Sequence, residues 1–253
     1  MKSNFNSYEY IVDIYVPQEA PPEHGFAVYI VLDGTRYGKM MQETLTNQLR
    51  NRMKTGVEAA IIIGIGHHEK DIPQQRFYDF TGPAAQYNFP VRRGREMKPM
   101  PAGGAEKLMQ FLMEQVLPMV KEKHPVNPNE IALYGHSLGG LFVLWSYLNY
   151  PAKFSKYAAI SPSIWWNEHE LFTILDQAQD SYHSPLYITV GGAEGDMVDD
   201  AKKFAEIAAE KGIRNEFYVA DQENHASVIP TTMSRILRFF KNANKVLEDS
   251  KIN

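Results

Sequence analysis

The 253-residue chain contains no cysteine, which excludes disulfides, thiolate metal sites and a thiol nucleophile together. It also lacks an excess of positive charge. A formal net charge of -4 leaves no electrostatic footprint for nucleic acid or for an anionic membrane. No apolar run approaches the ~20 residues needed to span a bilayer, and the N-terminal MKSNFNSYEYIVDIYVP carries no apolar signal core. A cytoplasmic protein with neither membrane nor nucleic acid as partner is therefore expected. Repeats, low-complexity tracts and linkers are missing too, so one domain over 1–253 is expected. Cofactor signatures are equally scarce. Gly64-Ile65-Gly66-His67-His68-Glu69 lacks the third glycine of a dinucleotide fingerprint, and there is no G-x-x-x-x-G-K-[ST] and no H-E-x-x-H. No metal and no organic cofactor is expected.

What is present is an alternation. Apolar, β-branched runs recur at Tyr8–Val16, Phe26–Leu32, Ala59–Ile65, Ile131–Tyr134, Tyr157–Ile160, Leu186–Val190 and Phe217–Ala220. Several are apolar nearly throughout, as strands covered on both faces must be. Helical periodicity is clearest at Glu106–Lys123, Leu138–Asn149, Ala201–Lys211 and Ser227–Leu247. The Leu138–Asn149 segment is apolar around most of its circumference, which predicts a central, buried helix. Strands alternating with helices predict an α/β fold with a mostly parallel sheet. Two stretches interrupt the alternation, 67–104 and 161–184. Both follow the C-terminal ends of strands, where open α/β sheets bind ligands.

Gly135-His136-Ser137-Leu138-Gly139 reads as G-x-S-x-G with a strand before it and a helix after it, the setting of a nucleophile elbow. Such a turn exposes the Ser137 hydroxyl above the sheet edge and points the N-terminus of the following helix at a developing oxyanion. The competing reading is a plain strand-to-helix turn with serine as helix cap. Serine at its own pKa is a weak nucleophile and needs a base in reach. In this fold the chain order is serine, acid, histidine. Of the eight histidines, only His225 follows Ser137 in a loop directly after the last strong strand. His136 is expected to point away from the serine beside it. The acid belongs in the loop after Leu186–Val190, where Glu194 and Asp196 are flanked by glycines, while Asp199 and Asp200 open a helix. Glu194 is preferred over Asp196. The oxyanion site needs N–H groups from two segments. Leu138 supplies one, and Gly34, in the turn after Phe26–Leu32, the other, unless Asp33-Gly34-Thr35 is only a turn.

With these residues assembled, the chain resembles the esterase branch of the α/β-hydrolases and is especially similar to siderophore esterases that cleave ferric enterobactin or bacillibactin trilactones. The resemblance rests on VLDGTRY, RFYDFTGP, GGAEKLMQFLMEQVLPMV, YGHSLGGLFVLW, AAISPSIWW and ENHASVIP, spread over nearly the whole chain. It implies an α/β-hydrolase fold, a serine esterase without cofactor, and a small-molecule ester as partner. Ser137 and His225 would be catalytic, Gly34 and Leu138 would donate to the oxyanion, and Arg76 would line the substrate site. Some such esterases work with a Ser-His dyad, which leaves the acid open. The branch also includes simple carboxylesterases and carbohydrate esterases. An acyltransferase on the same site, or an inert pocket-binding protein, completes the alternatives. A ferric catecholate ligand is aromatic and anionic. Arg76 in the first insert and Trp165 and Trp166 in the second are therefore the expected substrate contacts, with Arg92, Arg93 and Arg95 as further candidates, unless RRGR is a solvated loop and the tryptophans are core.

Overall fold

The computed structural model describes residues 1–92, 94–178 and 182–242. Strands β1 (Tyr10–Tyr15) and β2 (Phe26–Leu32) lead into helix α1 (Gly34–Leu49) and a short α2 (Arg52–Thr55). Strand β3 (Ala60–His67) is followed by α3 (Ile72–Phe80), a two-residue ribbon of β4 (Val91–Arg92) and β5 (Arg95–Glu96), then α4 (Ala105–Gln110) and α5 (Leu117–Lys123). The second half alternates regularly. It runs β6 (Val126–His136), α6 (Leu138–Asn149), β7 (Lys156–Ile160), α7 (Glu170–Asp176), β8 (Leu186–Gly191), α8 (Asp196–Glu210), β9 (Asn215–Ala220) and α9 (Val228–Asn242).

Seven strands form one sheet in the order β1-β3-β2-β6-β7-β8-β9. Only β1 runs antiparallel to its neighbour. Because side chains alternate across a strand, β2 sends Phe26, Val28, Ile30 and Leu32 into one apolar layer and Ala27, Tyr29 and Val31 into the other. The first layer is covered by α4, α5, α6 and α8, and the second by α1 and α9. Both faces of β2 and β3 are buried throughout, which is why their sequences are apolar without alternation. From Leu138 to Leu148 every residue of α6 is buried, as its apolar circumference predicts. Among the described residues no helix is long and apolar enough to cross a membrane. The fold is that of the α/β-hydrolases.

The structure differs from the sequence expectation in two places that have physical causes. The helical stretch over 106–123 is interrupted by a π-turn at Phe111–Val116. Pro118, at the start of α5, has no N–H to give a carbonyl one turn back, and a widened turn keeps its ring off that carbonyl. The first insert, expected as a loop, contains α3. Pro73 sits in the first turn of that helix, where a missing N–H costs nothing, and Gln75, Phe77, Asp79 and Phe80 form its buried side.

Candidate active site

Ser137 lies at the turn between β6 and α6 with φ 61 and ψ -118, a backbone conformation that L-residues rarely adopt. Its amide donates to Ile160 O at 2.9 Å and its carbonyl accepts from Ser163 N–H at 3.1 Å, so the end of β7 and the segment after it hold the turn in place. The glycines around it are not equivalent. A Cβ on Gly135 would lie 2.2 Å from Gly139 O, and one on Gly140 2.9 Å from Ile160 O, whereas one on Gly139 would make only ordinary contacts. The tight spots of the elbow are therefore Gly135 and Gly140.

Three side chains from three strand ends meet there. Ser137 Oγ is 3.0 Å from His225 Nε2, and His225 Nδ1 is 2.5 Å from Glu194 Oε2. An ionised carboxylate can only accept, so Nδ1 carries the proton and Nε2 is left to accept from the Ser137 hydroxyl. The second oxygen of Glu194 accepts from Ser161 Oγ at 2.5 Å and from the Gly191 N–H at 2.7 Å. Burial raises the Glu194 pKa, but the hydrogen bonds from His225, Ser161 and Gly191 outweigh it and hold the carboxyl below its ordinary range. Gly191 has no room for a side chain, since a Cβ would meet Glu223 O at 2.4 Å and Glu194 Oε1 at 2.9 Å. Backbone bonds from Gly192 to Ala220 and from Ala193 to Glu223 tie the acid's loop to the histidine's loop. Asp196, the rival acid, is exposed in the first turn of α8.

Gly34 opens α1 and Leu138 opens α6, so each N–H belongs to a first helical turn, which has no acceptor within its own helix. Gly34 has a second reason to be glycine: its missing Cβ would fall 2.3 Å from the Gly64 backbone of β3. Among the described residues no group of three or more His, Asp or Glu is placed to hold a metal ion.

Several expectations are revised. His136 does not point clear of the site. Its ring lies 4.5 Å from that of His225, its Nδ1 is 3.3 Å from the Tyr37 hydroxyl, and it is buried. Burial first, then the nearby charges of His225 and Arg76, push its pKa well below the ordinary imidazole value, so it stays neutral. Trp166, expected to face substrate, is fully buried, with its indole against Phe77, Phe89 and Tyr87 of the first insert. Trp165 beside it is half-buried. The Arg76 guanidinium pairs with Asp33 at 2.7 and 2.9 Å, a partner the sequence did not suggest, while 16% of its side chain stays exposed. Arg93 lies outside the described residues, as do the side chains of Arg92 and Arg95. Sequence reasoning missed Ser161 as a partner of the acid and Ser163, whose Oγ is 3.5 Å from that of Ser137. The only signal for either was the SPSIWW motif itself.

Comparison with known proteins identifies the family. The family described as "Putative esterase" matches residues 3–235. The ferri-bacillibactin esterase BesA of Bacillus subtilis is 35% identical over 94% of this chain and 87% of its own length. The BES protein of Bacillus cereus superposes with a TM-score of 0.83 at 32% identity, covering 95% of this chain and 93% of that one. The siderophore hydrolase EstA of Aspergillus nidulans superposes with a TM-score of 0.80 at 26% identity, covering 92% and 90%. With its fold, its strand-end site and a family match across nearly its whole length, the chain belongs to this esterase family and is a carboxylic-ester hydrolase.

Proposed function

We propose that this esterase opens the ester bonds of ferric siderophores of the trilactone type through an acyl-enzyme on Ser137. Ser137 Oγ attacks the ester carbonyl and passes its proton to His225 Nε2. Glu194 holds the Nδ1 proton and stabilises the imidazolium that forms. The backbone N–H groups of Gly34 and Leu138 take the oxyanion of the tetrahedral intermediate. Collapse breaks the ester C–O bond as His225 returns the proton to the leaving alkoxide. A water deprotonated by His225 then releases the acid. Iron travels as part of the substrate and takes no step. The observation that carries the serine mechanism is the unbroken hydrogen-bonded chain from Ser137 through His225 to Glu194. The substrate class rests on relatives named for ferri-bacillibactin and for siderophores, with half-buried Trp165 as the aromatic contact.

A second reading, a carboxylesterase of broader range, is favoured by the pairing of Arg76 with Asp33 and the burial of Trp166. Product analysis on a ferric trilactone beside a series of p-nitrophenyl esters separates the two. A kcat/KM for the trilactone well above that for every simple ester supports the first reading. Turnover of simple esters alone establishes the second. If a fluorophosphonate inactivates the enzyme without modifying Ser137, the serine mechanism fails under both.

A further inference from the structure

Asp33 occupies the N-cap position of α1 in a left-handed conformation, φ 53 and ψ 41. A carboxylate there ordinarily accepts from the first-turn N–H groups of its helix, yet Asp33 makes no such bond. It takes the Arg76 guanidinium in two parallel hydrogen bonds instead, Nε at 2.7 Å and Nη2 at 2.9 Å. The same Nη2 donates to the carbonyl of His136, the residue before Ser137, at 3.2 Å. Side-chain exposure is 6% for Asp33 and 16% for Arg76, so solvent screens the pair little. One guanidinium from α3 thus joins the turn that carries Gly34 to the elbow that carries Leu138.

That junction has a geometric consequence. The two proposed oxyanion donors come from chain segments far apart in sequence, on the neighbouring parallel strands β2 and β6. The ladder between those strands ends at the pair Val31 and Tyr134, short of both donors. Beyond it the spacing of the Gly34 and Leu138 N–H groups is set by whatever bridges the two turns. Gly34 is pressed against Gly64 from the sheet side. On the other side Arg76 bridges the two turns through charge-assisted bonds, beside a neutral contact from the Tyr37 hydroxyl to His136.

We infer that the Arg76–Asp33 ion pair is a clamp that sets the spacing of the two oxyanion donors, and that Arg76 is a positioning residue rather than the cation that receives an anionic substrate. The inference rests on the serine mechanism proposed above. A clamp acts on every ester alike, because every tetrahedral intermediate presents the same oxyanion. A substrate cation acts only on anionic esters. Displacing an oxyanion donor by about 1 Å costs on the order of a hundredfold in turnover.

The test uses Arg76→Ala, Arg76→Lys and Asp33→Asn on p-nitrophenyl acetate, a small neutral ester, and on an anionic ferric trilactone. The expected result is a fall in kcat of about a hundredfold on both esters, with KM within about threefold of wild type. Arg76→Lys keeps the charge but not the two-pronged geometry, so it should remain impaired. Free guanidinium ion at millimolar concentration should restore part of the kcat of Arg76→Ala. A trifluoromethyl ketone, whose adduct on serine carries an oxyanion, should lose affinity by the same factor as kcat/KM. A loss confined to the trilactone, or full activity in Arg76→Lys, overturns the clamp. If Arg76→Ala fails to fold by circular dichroism, the near-isosteric Asp33→Asn carries the comparison, and equal turnover to wild type on the neutral ester overturns it. The serine mechanism is tested apart from this, by whether wild-type activity needs Ser137.

Discussion

The elbow region and the insert region sit on the same edge of the same sheet and are built in opposite ways. At the elbow, Ser137, Glu194 and His225 each stand within a few residues of a strand's C-terminal end, and each is aimed by its own turn. In the inserts, residues of similar chemical promise are turned toward one another. Phe77, Tyr87 and Phe89 of the first insert surround Trp166 of the second, and the Asn88 N–H donates to Asn167 Oδ1 at 2.9 Å. The RFYDFT segment follows the same pattern. Asp79 is fully buried and accepts from Tyr10 at 3.0 Å with His67 at 2.9 Å, and Thr81 Oγ accepts from the Gly103 N–H at 2.8 Å, closing the insert on itself. Residues beside a strand end are directed by local backbone, while residues in an insert are directed by whatever they pack against.

The sharpest way to test that contrast is to cut the elbow. Ser137→Ala should lower kcat for ester hydrolysis by on the order of a millionfold, with a thermal midpoint close to wild type because only a hydroxyl is lost. Near-normal turnover would remove the mechanism altogether. Next in size is the acid. Glu194→Gln should cost about a thousand- to ten-thousandfold in kcat, since the amide cannot hold the histidine in the correct tautomer as an anion does. Asp196→Asn should change kcat by no more than a few fold. Losses of a few fold in both variants would favour a Ser-His dyad.

On the insert side the expected effect moves from turnover to stability. Trp166→Ala removes a fully buried indole and should destabilise the protein by about 3–5 kcal/mol in denaturant unfolding. Trp165→Ala should leave stability much less changed and raise KM for an aromatic substrate. The reverse pattern would return Trp166 to the substrate surface. The smallest effect concerns acid. The Glu194 carboxyl titrates below its ordinary value of 4.5 in the folded protein, so the stability it contributes is complete above that value and is lost as pH falls through the lowered one. Thermal melts of wild type and Glu194→Gln should differ by a constant margin from pH 7 to pH 5, with the wild-type margin shrinking below pH 4.5. A margin unchanged to pH 3 would mean the carboxyl is not held ionised.

The sheet was legible in the sequence because both faces of β2, β3 and β8 are covered, which leaves an uninterrupted apolar run that few other structures require. Ser137 and His225 were legible because G-x-S-x-G between a strand and a helix, and a histidine after the last strand, are local patterns. Glu194 could be separated from Asp196 only by preference, since both lie in one short glycine-rich loop. Helix α8 begins at Asp196 and leaves Glu194 on the buried side of the turn, facing Ser161 and Gly191. Helix α3 was hidden by the charged run just before it and the proline at its start, which read as loop although proline suits a first helical turn.

Sequence by itself determined the α/β order, the elbow, the histidine and the absence of thiol chemistry, because each is set by residue type and by neighbours a few positions away. Tertiary structure alone decided that Arg76 faces Asp33, that Trp166 is core, that Ser161 supports Glu194 and that His136 lies against His225. Those four depend on pairs separated by some 30 to 90 positions. A guanidinium or an indole can serve a ligand or another part of its own chain equally well, and only the packed molecule shows which partner lies within a hydrogen bond's reach.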